Sequence, residues 1–200
     1  MEATQILIEE HRLILKVLQC LDRLVAQAES TGKPDGEAAR SIIDFIRNFA
    51  DKTHHAKEED RLFVEMENAG FPREGGPTGV MLHEHDIGRD LVRRMEQALQ
   101  KIESGDRTAL PEFARSAREF IALLEAHIEK ENQVLFPMAD QSLPASVHDQ
   151  LLKDFQQIEQ QAGGDRHAKY YQQARELCEK FGVPFLKGEE WQTIRNVLYR

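Results

Sequence analysis

His54-His55-Ala56-Lys57-Glu58-Glu59-Asp60-Arg61-Leu62-Phe63 sets imidazoles and carboxylates four residues apart inside a long amphipathic helical pattern. Positions i and i+4 of a helix share a face. His54 with Glu58, or His55 with Glu59, would therefore offer one nitrogen and one oxygen to a single cation. A charged His/Glu run on a helix is most often a solvated face, so the rest of the chain must show which pair points inward.

Apolar spacing around this stretch predicts a helix from Asp35 to Ala69, stopped by Gly70-Phe71-Pro72. Its stripe is Ile43, Ile46, Ala50, His54, Glu58 and Leu62. His55 and Glu59 fall about 100° further round, with Asn48, Asp51 and Lys52, and are expected to face water. Upstream, a helix from Thr4, its expected cap, to Ser30 carries Leu7, His11, Ile14, Leu18, Leu21 and Val25, and ends at Thr31-Gly32-Lys33-Pro34. Downstream, a loop at 73–79 leads into a third helix from Val80 to Ser104 with Met81, His85, Gly88, Val92, Met95 and Leu99 on one stripe. His83 lies roughly 200° from His85 and is expected to point outward.

After Gly105-Asp106, with Pro111 in the first turn, a fourth helix to Ala139 carries Phe113, Ala117, Phe120, Leu124, His127, Glu131 and Leu135. A fifth helix starts at Ser142-Leu143-Pro144 and closes at Gly163-Gly164, and a sixth spans His167 to Phe181. Gly182 to Arg200, with Trp191, reads as a loop and a short terminal helix. Strand-period alternation is absent. The expected fold is all-α: an up-and-down four-helix bundle over residues 1–140, with a C-terminal helical extension, 141–200, packing on it. Capping one end of the bundle, gating access or forming a homodimer are the uses open to that extension.

The formal net charge of −9 over 200 residues, with acids and bases mixed along the helices, shows no basic patch of the kind a nucleic-acid partner requires. Neither a signal-like N-terminus nor an apolar run of about 18 residues is present, so no membrane partner is expected and the expected location is cytoplasmic. Cys20 and Cys178 are far apart in helical segments and read as reduced packing thiols.

An internal repeat chooses between the two His/Glu pairs. The opening stretch aligns with His127-Ile128-Glu129-Lys130-Glu131-Asn132-Gln133-Val134-Leu135-Phe136 at an offset of 73 residues, matching His54, Lys57, Glu58, Leu62 and Phe63. His55 falls opposite Ile128. Glu10-His11 likewise aligns with Glu84-His85 at an offset of 74. Each half is thus a helix hairpin with one lone histidine and one His-x-x-x-Glu pair. His11, His54, His85 and His127 with Glu58 and Glu131 make a two-metal inventory, because one tetrahedral zinc cannot use six ligands and calcium or magnesium prefers oxygen alone. Imidazole with bridging carboxylate suits a pair of iron ions first, with manganese or zinc as alternatives. Two carboxylates among apolar residues would be costly without a cation.

These motifs resemble the hemerythrin-like family, also called the HHE cation-binding domain, over about residues 4 to 140. The resemblance rests on Glu10-His11-Arg12, the His54 motif, Glu84-His85-Asp86 with Gly88-Arg89, and His127 through Leu135-Phe136-Pro137. It implies a four-helix bundle around a non-haem di-iron centre. His11, His54, His85 and His127 would be terminal iron ligands, and Glu58 and Glu131 would bridge beside an oxo or hydroxo group. The chain departs from the oxygen carriers of that family: Met81 stands where they have a second third-helix histidine, and the last motif is His-x-x-x-Glu rather than His-x-x-x-x-Asp. Four histidines with two glutamates look more like the bacterial members linked to iron–sulfur cluster repair and nitric oxide.

The expected function is binding or sensing of a small diatomic ligand, O2 or NO, or of iron itself. The alternatives are a di-iron oxidoreductase or iron donor in cluster repair under nitrosative or oxidative stress, and a metal-free helical interaction module. His148 and His167 are expected to be solvated, Met81 to fill the core or line the open side of the metal pocket, and Tyr170 and Tyr171 to pack or lie at the surface, or to supply a phenol near the cluster if the sixth helix folds over the bundle. Lys57 and Lys130 sit at the edge of the stripe, where orienting and surface roles are both open.

Overall fold

A computed structural model describes residues 2–163, 166–186 and 197–198. Six helices, with no strand among the described residues, follow one another as α1 (Thr4–Thr31), α2 (36–68), α3 (Pro77–Glu103), α4 (110–142), α5 (Ala145–Gln161) and α6 (Arg166–Phe181). The short terminal helix expected around Trp191 falls largely outside the described residues.

Local chemistry sets the boundaries. Asp35 caps α2 by accepting from the Ala38 amide at 3.0 Å. α1 ends where Gly32 takes φ +78°, a conformation that favours glycine, and its amide returns to the Ala28 carbonyl. α3 begins three residues before the expected Val80, because Pro77 suits a first helical turn, where no amide hydrogen is needed. Thr4 is not the cap of α1. It lies inside the helix and its hydroxyl donates to Asp140 at 2.7 Å, while the Ala3 amide donates to Nδ1 of His148 on α5 at 3.3 Å. His148 is therefore buried, not solvated, since it serves a helix terminus from outside that helix.

Two apolar layers reveal the topology. The larger joins Leu13 to Val25 of α1, Ala38 to Ala50 of α2, Leu91 to Leu99 of α3 and Phe113 to Ile128 of α4. The smaller joins Ile6, Leu7, Leu62, Phe63, Met66, Met81, Leu135 and Phe136. Each of the first four helices thus runs from one layer to the other, and successive helices run in opposite senses. α5 adds Leu151 and Phe155 to the smaller layer, and α6 adds Tyr170, Ala174 and Leu177 to the larger. Tyr170 packs on Phe45 and Phe49, with ring centroids 5.8 Å from each.

α2 and α4 are not uniformly α-helical. α2 carries π-helical turns over Ile46–His55 and Glu58–Leu62, and α4 one over Glu131–Leu135. These turns run from Ile46, Phe49 and Ala50 of the larger layer, across the level between the layers, to Leu62 and Leu135 of the smaller.

Asp35 also pairs with Lys180 at 2.7 Å, so its cap can be separated from its charge. Asp35→Ala is expected to lower unfolding stability by about 1 kcal/mol in denaturant titration, and Asp35→Asn by markedly less because asparagine still caps.

Candidate metal centre

A regular α-helix returns to the same face after 3.6 residues, and it was on this period that His54 and Glu58 were expected inside and His55 and Glu59 outside. The π turns change that phase, because each i→i+5 turn takes in an extra residue. His54 and Glu58 are indeed buried, with Nε2 of His54 3.3 Å from Oε1 of Glu58. His127 and Glu131 repeat the contact at 3.2 Å. His55, however, is also buried: its ring stacks on His85 with centroids 3.8 Å apart and 12° between planes. Its Nδ1 lies 3.4 Å from Asp51.

All four repeat histidines are held through Nδ1. His54 donates to Glu10 at 2.9 Å, His127 to Glu84 at 2.8 Å, His85 to Glu59 at 2.6 Å and His11 to Asn132 at 2.9 Å. The same internal repeat governs these partners, since Glu10 corresponds to Glu84 and Glu59 to Asn132. Glu59 is thus half-buried beside His85 and Arg89, not a bystander in water. Fixing Nδ1 as a donor directs each Nε2 inward as a base, the arrangement seen around metal-ligating histidines.

The six predicted residues converge. Nε2 of His11 lies 3.2 Å from Glu131 and 3.8 Å from Glu58, and Nε2 of His85 lies 3.6 Å from the other Glu58 oxygen. His11, His54, Glu58 and Glu131 each bring one donor atom within 4.8 Å of the others, and so do His55, Glu58, His85 and His127. Glu58 belongs to both groups. Whether these residues suit metal ions can be judged from their unmet polarity. Among the described residues, Nε2 of His11 and all four oxygens of Glu58 and Glu131 are buried without a hydrogen-bond partner. Orphaned anionic oxygens facing imidazole nitrogens are a donor set that cations complete.

A third buried group, Glu10, Glu159 and His167, has the composition of a cation site, but the Lys57 ammonium already sits between the two carboxylates. His167 is thus fully buried, 2.8 Å from Glu10, rather than solvated. Its expected exposure fails because α6 folds against α1 and α2.

Beside His55, His85 and His127 a cavity of about 300 Å³ is walled by Ile46, Ala50, Val92, Phe120 and Leu124. Met81 does not line it; Met81 packs in the smaller apolar layer. His83 is exposed, as its helix phase requires. Sequence periodicity missed His55 for want of any signal of π geometry, whereas Glu10 and Glu84 were available as the residues preceding the repeated lone histidines.

A helical bundle with a buried layer of histidines and carboxylates between two apolar layers is the class these features define. The family model for the hemerythrin HHE cation binding domain matches residues 2–139, and the chain belongs to that family. An uncharacterized protein of Mycobacterium tuberculosis is 23% identical over 163 residues, 82% of this chain and 63% of that protein. The iron-sulfur cluster repair protein YtfE of Edwardsiella ictaluri is 33% identical over 136 residues, 66% of this chain and 60% of its own length. That of Musicola paradisiaca is 37% identical over 93 residues, 44% and 41% respectively. The matched region thus spans less than two thirds of each of these relatives. No solved structure matches the chain significantly. Among the described residues no helix is long and apolar enough to cross a membrane.

The protonation of the layer leads to a prediction. Burial opposes a charge on His54, but the Glu58 carboxylate and the bond to Glu10 override it and hold its pKa up at about 10. Burial also opposes a charge on His127, and Glu131 overrides it, giving about 9. Both rings are therefore protonated at neutral pH without metal, and Nε2 of His127 lies 3.0 Å from Nε2 of His85. A cation that binds at Nε2 must displace these protons. Raising the pH removes that competition, so affinity rises from neutrality toward pH 9. Metal uptake by the metal-free protein at pH 7 is expected to release about two protons per chain, read with an indicator dye, with affinity rising up to about 100-fold per pH unit.

Proposed function

We propose that His11, His54, Glu58, His85, His127 and Glu131 hold two iron ions, and that the protein binds or senses O2, NO or iron itself at that centre in the cytoplasm. The observation that carries this reading is the set of orphaned buried oxygens on Glu58 and Glu131, faced by four imidazoles whose Nδ1 atoms are tethered elsewhere. A mixed nitrogen and carboxylate set suits iron, which supplies redox-active coordination for a diatomic ligand.

The chain's own residues divide the work. His11 and His54 serve one position and His85 and His127 the other, with Glu58 and Glu131 between them. The cavity borders only the His85 and His127 side, where Ile46, Ala50, Val92, Phe120 and Leu124 give it an apolar part suited to a small neutral ligand, and charged residues such as Arg47, Arg89 and Glu96 also line it. His55 borders that cavity as a neutral ring, because burial and then the neighbouring His85 depress its pKa.

Similarity to the iron-sulfur cluster repair proteins YtfE favours a second reading, in which a di-iron centre acts as an oxidoreductase or donates iron for repair of iron–sulfur clusters. Anaerobic reconstitution followed by metal analysis and absorption spectroscopy tests the centre itself. Two irons per chain are expected, and fewer than about one would defeat the proposal in favour of a metal-free interaction module. Reversible spectral change on adding and removing O2 or NO supports binding. Consumption of the gas with a reductant, or iron transfer to a cluster-depleted protein, supports the second reading.

Filling the cavity gives a separate check. Ala50→Leu is expected to slow ligand association by at least about tenfold while leaving two irons per chain, at a stability loss of about 1–3 kcal/mol from overpacking. An unchanged association rate in stopped-flow absorption would show that the ligand enters elsewhere.

A further inference from the structure

The two halves of the bundle hold their His-x-x-x-Glu histidines by the same device but complete it differently. In one half Glu84 accepts from Nδ1 of His127 and pairs with Lys130. The Lys130 side chain is 43% exposed and Glu84 15%, so this pair is open to solvent. In the other half Glu10 accepts from Nδ1 of His54 and pairs with Lys57, and both are 0% exposed. Water is replaced there by two residues from beyond the family match. Glu159 of α5 receives the Lys57 ammonium at 2.5 Å, and Nε2 of His167 of α6 lies 2.8 Å from Glu10 and 3.0 Å from Glu159. Phe49 and Phe155 flank the group, with ring centroids 5.3 Å from the His167 ring and 6.0 Å from the Lys57 nitrogen.

We propose that Glu159 and His167 are positioning residues for the metal position served by His11 and His54, acting through Lys57 and Glu10 on His54. The C-terminal helices are thereby a part of the metal centre, although they supply no ligand to it. The inference rests on the di-metal reading above. Its physical basis is charge distribution in a site without solvent. Glu10 and Glu159 share one ammonium, which leaves Glu10 enough negative charge to accept from both His54 and His167. With Glu159 neutral, Lys57 is drawn onto Glu10 alone, and Glu10 becomes a poorer acceptor for Nδ1 of His54. An imidazole whose Nδ1 partner weakens is a less basic and less well oriented ligand, an effect commonly of 10- to 100-fold in metal affinity.

The experiment uses the full chain reconstituted with iron, and follows metal release to a coloured chelator. Wild type is expected to release its two irons in two phases, the faster from the cavity side. Glu159→Gln and His167→Gln should each accelerate the slow phase by about 10- to 100-fold and leave the fast phase within twofold. Lys130→Gln, in the other half, should change only the fast phase. Equal acceleration of both phases would reveal general loosening and overturn the proposal, as would no change in either.

A metal-free measurement separates this inference from the centre on which it rests. NMR of histidine-labelled metal-free protein reports the His54 side chain directly, and Glu159→Gln should shift its Nδ1 resonance while leaving that of His127 in place. An unmoved His54 resonance would overturn the positioning role even if both irons bind. Fewer than about one iron in wild type would instead overturn the metal centre.

Discussion

Glu58 and Glu131 place four carboxylate oxygens in the middle of a helical bundle, where imidazole nitrogens face them. A buried ionised carboxylate left uncompensated costs several kcal/mol even after the protein relaxes, so positive charge must come to this level of the bundle. The rest of the architecture follows from that constraint. Four helices each bring one repeat imidazole to the same height, and apolar layers close above and below it. Without metal the histidines themselves answer the charge by holding their protons, which is why His54 and His127 titrate so far above an ordinary imidazole. The side chains that hold protons in this layer are the same ones that would have to release them to bind a cation.

The two halves match closely enough that their differences are informative. His85 is held by the carboxylate of Glu59, whereas His11 is held by the neutral amide of Asn132. A carboxylate partner makes its imidazole the stronger base, so the two positions proposed for metal would differ electronically although their residue types repeat. The difference coincides with access. The more strongly polarised His85 borders the cavity, while His11 lies with its ring stacked on Phe136, centroids 5.5 Å apart. Under the proposed function, the His85 side is thus the one open to an exogenous ligand and the His11 side the closed one.

Helix period and internal repeat were enough to choose the six candidate ligands, because both operate on local spacing that a single chain displays. The same repeat contained Glu10 and Glu84, whose value appears once His54 and His127 are seen to need an acceptor at Nδ1. Lys57, His148, Glu159 and His167 were not legible in this way. Each is buried by contact with a distant segment, and nothing in the local pattern of a polar residue reveals what will fold over it. His167 has the composition of a surface residue and becomes interior only because α6 lies across α1 and α2.

His55 fails for a different reason, a change in helical geometry. In the second half Pro137 has no amide hydrogen, and the π turn over Glu131–Leu135 lies directly ahead of it. The first half has Val64 at the matching position, yet its π geometry extends back through Ile46–His55. His55 ends that longer stretch and stacks on His85, at a position that is interior in both halves. Its counterpart Ile128 remains in regular α-helix and packs into the larger apolar layer. The face assigned to a residue by a 3.6-residue period holds only while the period does. Here it breaks at the functional layer, where π turns are most often found. The outcome is a further imidazole on the cavity side alone, where the other half has an isoleucine, so the two positions proposed for metal would not be equivalent.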